Sequence, residues 1–284
     1  MNPEETFFNI RDLNEFNHAA LRIFQFQYRN LPVYRKFVDE LKINPINIHD
    51  FSQIPCIPIS LFKIHDFISE GKRPEKIFLS SGTTGISRSR HLVADLDIYR
   101  TSLRKSFSLF YGLPMDYTVF GLMPSPEDNP DSSLIFMVND WIETSREKDS
   151  GFYGDRFPVL AEQLQKISGS GKKAILIGLS YLLLDLAEQF PMPLKNVIVM
   201  ETGGMKGKRR EMIREELHGQ LKEAFSLPVI HSEYSMAELL SQAFSCGNGQ
   251  YQSPPWMKIL IRDPADPLSP MQPGRTGGIN ILDL

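Results

Sequence analysis

Between residues 14 and 41 apolar side chains recur at helical spacing. Phe16, Leu21, Phe24, Tyr28 and Leu31 fall three to five apart, and Val33, Phe37 and Leu41 fall four apart, which marks one face of a 3.6-residue repeat. Pro32 interrupts the pattern. A proline inside a helix lacks the N–H and clashes with the preceding turn, so two helices are predicted. Asp50 or Ser52 is a candidate cap for a short turn, and Ile54-Pro55-Cys56-Ile57-Pro58 reads as an extended connector. From residue 76 the pattern changes. Short apolar runs at 76–79, 117–123, 173–177, 196–200, 228–231, 256–262 and 278–282 predict strands. Longer amphipathic stretches at 95–111, 155–168, 180–189 (with Ser180 as cap) and 209–225 predict helices,. Residues 132–138 fit either state, and 124–131, with three prolines, is a loop.

Strands alternating with helices of ten or more residues make βαβ units. The expectation is therefore an α/β fold with largely parallel sheets flanked by helices. A helical N-terminal region over 1–75 is expected to pack on an α/β core over 76–284, as one continuous structural unit. The length, 284 residues, allows either two ordinary domains or one large one.

Charge narrows the function classes. Lys and Arg total 31 against 34 Asp and Glu, a net charge of −3, and this balance argues against general nucleic-acid binding, which draws on a basic surface. The two cysteines, Cys56 and Cys246, imply no disulfide framework and fit a reducing compartment. The acidic start MNPEETFFNIRDLNEF has no basic region leading into an apolar one, and no apolar run approaches 18 residues. No secretory signal and no membrane span are expected, and the cytoplasm is the expected location.

The segment with most chemistry is SSGTTG, residues 80–85, directly after the strand at 76–79. Glycines allow positive φ and close approach of a ligand, and successive backbone N–H groups in such a loop make an anion-binding concavity. Ser80, Ser81, Thr83 and Thr84 add hydroxyls, Gly82 and Gly85 the flexibility, and Arg88 a charge for phosphate,. The plainer reading is a strand–turn–helix corner whose hydroxyls cap backbone. No Gly-Lys-Ser/Thr follows and the G-x-G-x-x-G spacing is absent, so neither a Walker loop nor a dinucleotide fingerprint is present.

SSGTTG resembles the phosphate-binding loop of the adenylate-forming enzymes, in which a Lys usually stands where Arg88 falls. Two further motifs follow in the order that resemblance requires: Gly203-Gly204 after a strand, and Tyr234-Ser235-Met236-Ala237-Glu238 in place of Tyr-Gly-x-Thr-Glu. The wording IPISLFK, LSSGTTGISRSRH, VIVMETGGMKGKRREMIREELH and PPWMKILIRDPADPL is similar to the acyl-protein synthetases, whose fatty-acid-activating members serve the reductase complex of bacterial luminescence. The similarity runs from about Gln27 to the last residue.

The resemblance implies the N-terminal domain of an adenylate-forming enzyme and an activity: ATP-dependent conversion of a carboxylic acid, a fatty acid by family, to an acyl-adenylate. The acyl group then passes to a thiol on a protein or on CoA. It implies that residues 80–85 and Arg88 hold the ATP phosphates, with Thr83, Thr84, Arg88 and Glu238 as the catalytic set. It places Gly203, Gly204, Tyr234, Ser235 and Met236 beside the nucleotide and Glu238 on Mg²⁺. Ala237 lacks the hydroxyl that relatives direct at the phosphate. A ribose-binding Asp, a Lys-bearing C-terminal domain and an acyl-accepting cysteine of the relatives are not located here, and Asp283 is not assigned to any of these roles. A C-terminal part is accordingly expected to be missing. A non-catalytic or truncated nucleotide- or acyl-binding subunit of a transfer or reductase complex is the alternative.

Other residues have two readings each. His231 contacts the nucleotide or packs at a strand end, and His91 lies near phosphate or is structural. Lys206, Lys208, Arg209 and Arg210 form a solvated helix start or a dock. Cys246 is a free thiol or a transient acyl acceptor. Gly178-Leu179-Ser180 is a broken form of the hydrolase elbow, because Leu182 stands where the second glycine belongs,.

Overall fold

The computed structural model describes residues 7–81, 88–272 and 274–284. Helix α1, Leu13–Asn30, starts where the Asp12 carboxylate accepts the Glu15 N–H. Helix α2, Pro32–Glu40, has Pro32 in its first turn, where the missing N–H costs nothing; the predicted break is there. Asp50 and Gln53 form a capping box around the short turn Phe51–Gln53. Strands β1, Lys76–Leu79, and β2, Arg90–Val93, follow. Helix α3, Leu96–Tyr111, is capped by Asp95, which accepts from the N–H groups of Asp97 and Ile98.

The remaining elements are β3 Thr118–Leu122, α4 Ser133–Thr144, β4 Gly151–Phe152, α5 Phe157–Ser170, β5 Ala174–Leu179, α6 Ser180–Gln189 and β6 Val197–Thr202. After these come α7 Arg214–Phe225, β7 His231–Tyr234, β8 Ala243–Ser245, β9 Met257–Arg262 and β10 Gly278–Asp283. From β3 to β7 strands and helices alternate, and three further strands follow.

Three details differ from the sequence reading. Ser180 is the first helical residue and makes no cap bond. Residues 209–213 precede α7 instead of belonging to it. The strand expected at 228–231 begins at His231.

The chain forms two compact units. One comprises Met1–Ser102, Ala237–Ser241 and Ser253–Leu284; the other comprises Leu103–Met236 and Gln242–Gln252. In the first, β1 pairs antiparallel with β2 and β9 with β10. Phe16, Ala19 and Ala20 of α1 pack with Ile10, Trp256 and Leu282, and Phe24 packs with Tyr34 and Val38. In the second, a six-stranded sheet runs β4-β3-β5-β6-β7-β8. All pairs are parallel except β7 with β8. Its central strands β3 and β5 are buried throughout, as a sheet covered on both faces requires. Phe107, Trp141 and Tyr117 fill one side, with the rings of Phe107 and Trp141 4.7 Å apart. The protein is thus α/β with a mostly parallel central sheet. No helix among the described residues is long and apolar enough to cross a membrane.

Candidate active site

In the first unit, β1 and β2 bring together Ser80 and Ser89, which flank the connection that carries SSGTTG. The Ser80 N–H donates to the Ser89 carbonyl at 3.0 Å, and the Ser80 hydroxyl oxygen accepts the Ser89 N–H at 2.9 Å. Ser80 therefore fastens the base of the loop with backbone and side chain together. Arg88 donates through Nε to the Ser80 carbonyl at 2.5 Å and through Nη2 to the Leu79 carbonyl at 3.5 Å. These bonds hold the guanidinium against the end of β1, and no carboxylate among the described residues pairs with it. Ser81 is exposed beside it. The predicted Gly82, Thr83, Thr84 and Gly85 lie outside the described residues.

His91 settles as a structural residue. Its Nδ1 donates to the Ala237 carbonyl at 2.8 Å, which assigns the proton to Nδ1. Burial pushes its pKa down, with the Ala237 bond opposing in part, so the ring is neutral and unsuited to binding phosphate. The bond joins β2, directly after the loop, to the turn holding Ala237 and Glu238. Neighbouring bonds fix that turn from below. The Asp283 carboxylate accepts the N–H groups of Leu240 and Ser241 at 2.8 and 2.9 Å, and the Trp256 indole donates to the Ser241 hydroxyl. Asp283 thus holds this segment. Glu238 is half-buried in the turn and has no ion-pair partner among the described residues. Among those residues no group of three or more His, Cys, Asp or Glu side chains is placed to hold a metal ion.

In the second unit, Gly203 and Gly204 leave β6 with φ of +78° and +70°. A Cβ on Gly203 would lie 2.9 Å from the Leu179 side chain, while one on Gly204 would meet nothing within 4 Å. The first glycine is required by conformation and contact, and the second opens onto free space. Tyr234 ends β7, its hydroxyl 3.3 Å from the Met236 sulfur and its ring edge-on to Tyr251 at 6.2 Å. Ser235 follows it on the half-buried path out of the strand.

Two buried carboxylates stand on these same strands. Glu201 of β6 accepts the Ser180 hydroxyl at 3.1 Å, and its other oxygen faces His218 at 3.5 Å and Arg214 at 3.6 Å. Burial raises its pKa, but hydrogen bonding from His218, Ser232 and Ser180 outweighs this and leaves it below the ordinary value. Glu233 of β7 accepts the Thr202 hydroxyl on Oε2 at 2.6 Å, whereas Oε1 has no hydrogen-bond partner among the described residues. Burial dominates there and pushes its pKa up to about 7; Ser235 and Thr202 oppose, and Glu201 adds to the rise. An unpaired buried acceptor of this kind costs about 1–3 kcal/mol. Sequence reasoning missed this pair. The available signal was a second Glu one residue before Tyr234, on a strand whose alternation turns it inward.

The remaining candidates resolve individually. Ser180 is 1% exposed and donates to Glu201 and to the Thr202 carbonyl, so it has no nucleophile's setting and the hydrolase reading falls. His231 Nδ1 lies 3.2 Å from the Tyr111 hydroxyl, a packing role at the strand's start. Arg209 forks onto Asp185 and Glu188, and Arg210 pairs with Glu216 at 2.6 Å, so half of the basic cluster is internally paired. Cys246 is an exposed free thiol 3.9 Å from the Tyr111 hydroxyl.

No family model matches the chain, and no curated protein sequence does. Solved structures do. 2-Hydroxyisobutyryl-CoA ligase in the postadenylation state, in complex with R3-HIB-AMP, matches with a TM-score of 0.66 and 14% identity over 95% of this chain and 58% of that chain. The same ligase in complex with 2-HIB-AMP matches with a TM-score of 0.60, 14% identity and the same coverage. Its open conformation in complex with 2-HIB-AMP and CoA matches with a TM-score of 0.60 and 13% identity, over 96% and 66%. This chain therefore spans less than two thirds of the ligase's length. At these identities the likeness is one of fold: the α/β architecture described above is that of an adenylate-forming acyl-CoA ligase.

Proposed function

We propose that this chain activates a carboxylic acid with ATP. The observation that carries the reading is the His91–Ala237 hydrogen bond. It joins, across 146 residues of chain, the hairpin bearing the SSGTTG loop and the turn bearing Glu238, within a fold shared with an adenylate-forming ligase.

In the proposed reaction a carboxylate oxygen of the acid attacks the α-phosphorus of ATP. The bond from that phosphorus to the bridging oxygen breaks, and pyrophosphate leaves with the electron pair. A thiolate then attacks the acyl carbonyl, the carbonyl-to-phosphate oxygen bond breaks, and AMP leaves. Such chemistry draws on positioning and charge stabilisation. Backbone and hydroxyl donors of residues 80–85 hold the departing phosphates, and Arg88 faces them with an unneutralised guanidinium. Gly203, Gly204 and Tyr234 take the adenine side. Glu238 offers the hard oxygen ligand that Mg²⁺ prefers, and the ion, when bound, offsets phosphate charge. The resemblance of METGGMKG and PPWMK to acyl-protein synthetases names a fatty acid as substrate and a protein thiol as acceptor; CoA, bound in a structure of the similar ligase, is the other acceptor.

A second reading, nucleotide binding without turnover, is favoured by Ala237, which brings no hydroxyl to the phosphate. Acid-dependent exchange of pyrophosphate into ATP separates the two. We expect exchange with wild-type protein and a loss of about 100-fold or more in Thr83→Ala and Glu238→Ala, the size associated with removing one transition-state contact. Nucleotide binding with no exchange for any acid establishes the second reading.

A further inference from the structure

We propose that Glu233, oriented by Thr202, recognises a hydrogen-bond donor, a hydroxyl or an ammonium, on the tail of the acid. This rests on the adenylation reading and narrows its substrate class away from plain fatty acids.

Thr202 is the last residue of β6 and Glu233 the next to last of β7, and the two strands run parallel. In open α/β sheets ligands bind outside the carboxyl ends of parallel strands. Glu233 sits beside that exit, one residue before Tyr234. Gly203 follows Thr202 directly, and the position after it opens onto free space. Thr202 has one hydroxyl proton, and it goes to Oε2. Oε1 is left buried with lone pairs and no donor among the described residues. Ser235 lies near enough to favour the charged form.

The other groups around it do not compete. Glu201 neighbours Thr202 along β6 and so points to the opposite face of the sheet, where Ser180, His218 and Arg214 hold it. Tyr111 and Tyr251 are the tyrosines that feel the Glu233 charge, and no described ion pair involves it. Phe244 of β8 stands directly opposite Glu233. An alkyl tail laid here leaves a desolvated carboxyl oxygen facing hydrocarbon, which is unfavourable whichever protonation state it holds. A tail with a hydroxyl or ammonium supplies the missing donor, and a site with an unpaired polar group discriminates strongly against the analogue lacking its partner.

Matched acids test this: hexanoic, 6-hydroxyhexanoic and 6-aminohexanoic acid, and butyric, 3-hydroxybutyric and 4-aminobutyric acid. Binding is read by titration calorimetry and activation by pyrophosphate exchange, for wild type, Glu233→Gln and Glu233→Leu, each checked for folding by circular dichroism. We expect at least one donor-bearing acid to bind about tenfold or more tighter than its alkyl partner. That ratio should collapse towards one in Glu233→Leu, and Glu233→Gln should keep a hydroxyl preference while losing an ammonium one. Equal binding in wild type, or a preference that survives Glu233→Leu, overturns the proposal. Exchange without donor preference leaves adenylation standing and removes Glu233 recognition. Donor-selective binding with no exchange does the reverse, and no binding of any acid overturns both.

Discussion

Glu233 carries an energetic signature that does not depend on substrate. A carboxyl with an ordinary pKa of 4.5 is pushed up to about 7, chiefly by burial. The sign follows from which state ionises first. Below pH 4.5 the group is protonated in both folded and unfolded chains. Between 4.5 and 7 the unfolded chain releases its proton while the native state keeps it, so native stability falls as pH rises, and above 7 it levels off. The loss is on the order of 3 kcal/mol, from about 2.5 pK units at 1.36 kcal/mol each. Glu233→Gln removes the titrating group. Urea unfolding of wild type and variant at pH 5 and pH 8 should show the variant gaining relative stability at pH 8, and an unchanged difference between the two pH values contradicts it. Residues of this kind are hard to read from sequence. Tyr234 and Glu238 stand out because they resemble a known motif, whereas Glu233 acquires its character only when β7 places it opposite Phe244. The same is true of Ser180: in sequence it offers a helix cap or a broken hydrolase elbow, and only the packing of β6 against α6 shows its proton directed at Glu201.

The elements were legible where burial is uniform. The continuous apolar runs of β3, β5 and β6 can only be strands at that length with helices between them, and Pro32 marks its own break. The run at 132–138 was ambiguous because a short apolar stretch has no decisive period. Its helical state is fixed by what surrounds it: the Ser132 hydroxyl accepts the Ile135 N–H, and the helix continues to Thr144 to bury Trp141. Strands β2 and β8 escaped notice because each is four residues or fewer and exists by pairing with a partner. The start of α1 shows how a local cap supports distant packing. Asp12 accepts the Glu15 N–H at 2.8 Å, while the Glu15 carboxylate accepts the Arg11 N–H at 2.8 Å. The helix so started carries Phe16 into one core cluster and Phe24 into the other. Asp12→Ala should lower unfolding free energy by about 1 kcal/mol, and Asp12→Asn, which keeps an acceptor, should recover most of it. Equal stability of wild type and Asp12→Ala by chemical denaturation would show that the cap adds nothing.

At the scale of the molecule, the two units differ in how their cores are distributed along the chain. The sheet of the second unit and the helices after α3 come from residues 103–236, with only β8 arriving from 242–252. A fragment of residues 95–252 therefore holds all six strands, α3 with its Asp95 cap, and the buried Phe107, Trp141 and Phe244. One core cluster of the first unit is assembled from sequence extremes, whereas the other, around Phe24, Tyr34 and Val38, is local. Ile10, Phe16, Ala19 and Ala20 come from the start, and Trp256 and Leu282 come from the end. Without the last two, a fragment of residues 7–94 leaves the inner face of α1 bare where Trp256 would cover it. Loss of such large buried side chains costs several kcal/mol, about 3–5 for a Trp alone, against a total domain stability of about 5–15 kcal/mol. The fragment 95–252 should unfold cooperatively in urea and keep the near-ultraviolet dichroism of Trp141. The fragment 7–94 should show neither a cooperative transition nor slow amide exchange in α1, and adding a 253–284 peptide should restore exchange protection there. If 7–94 folds alone, the cluster around Trp256 is a minor part of its stability. If 95–252 fails to fold, the sheet depends on more of the chain than its own strands and helices.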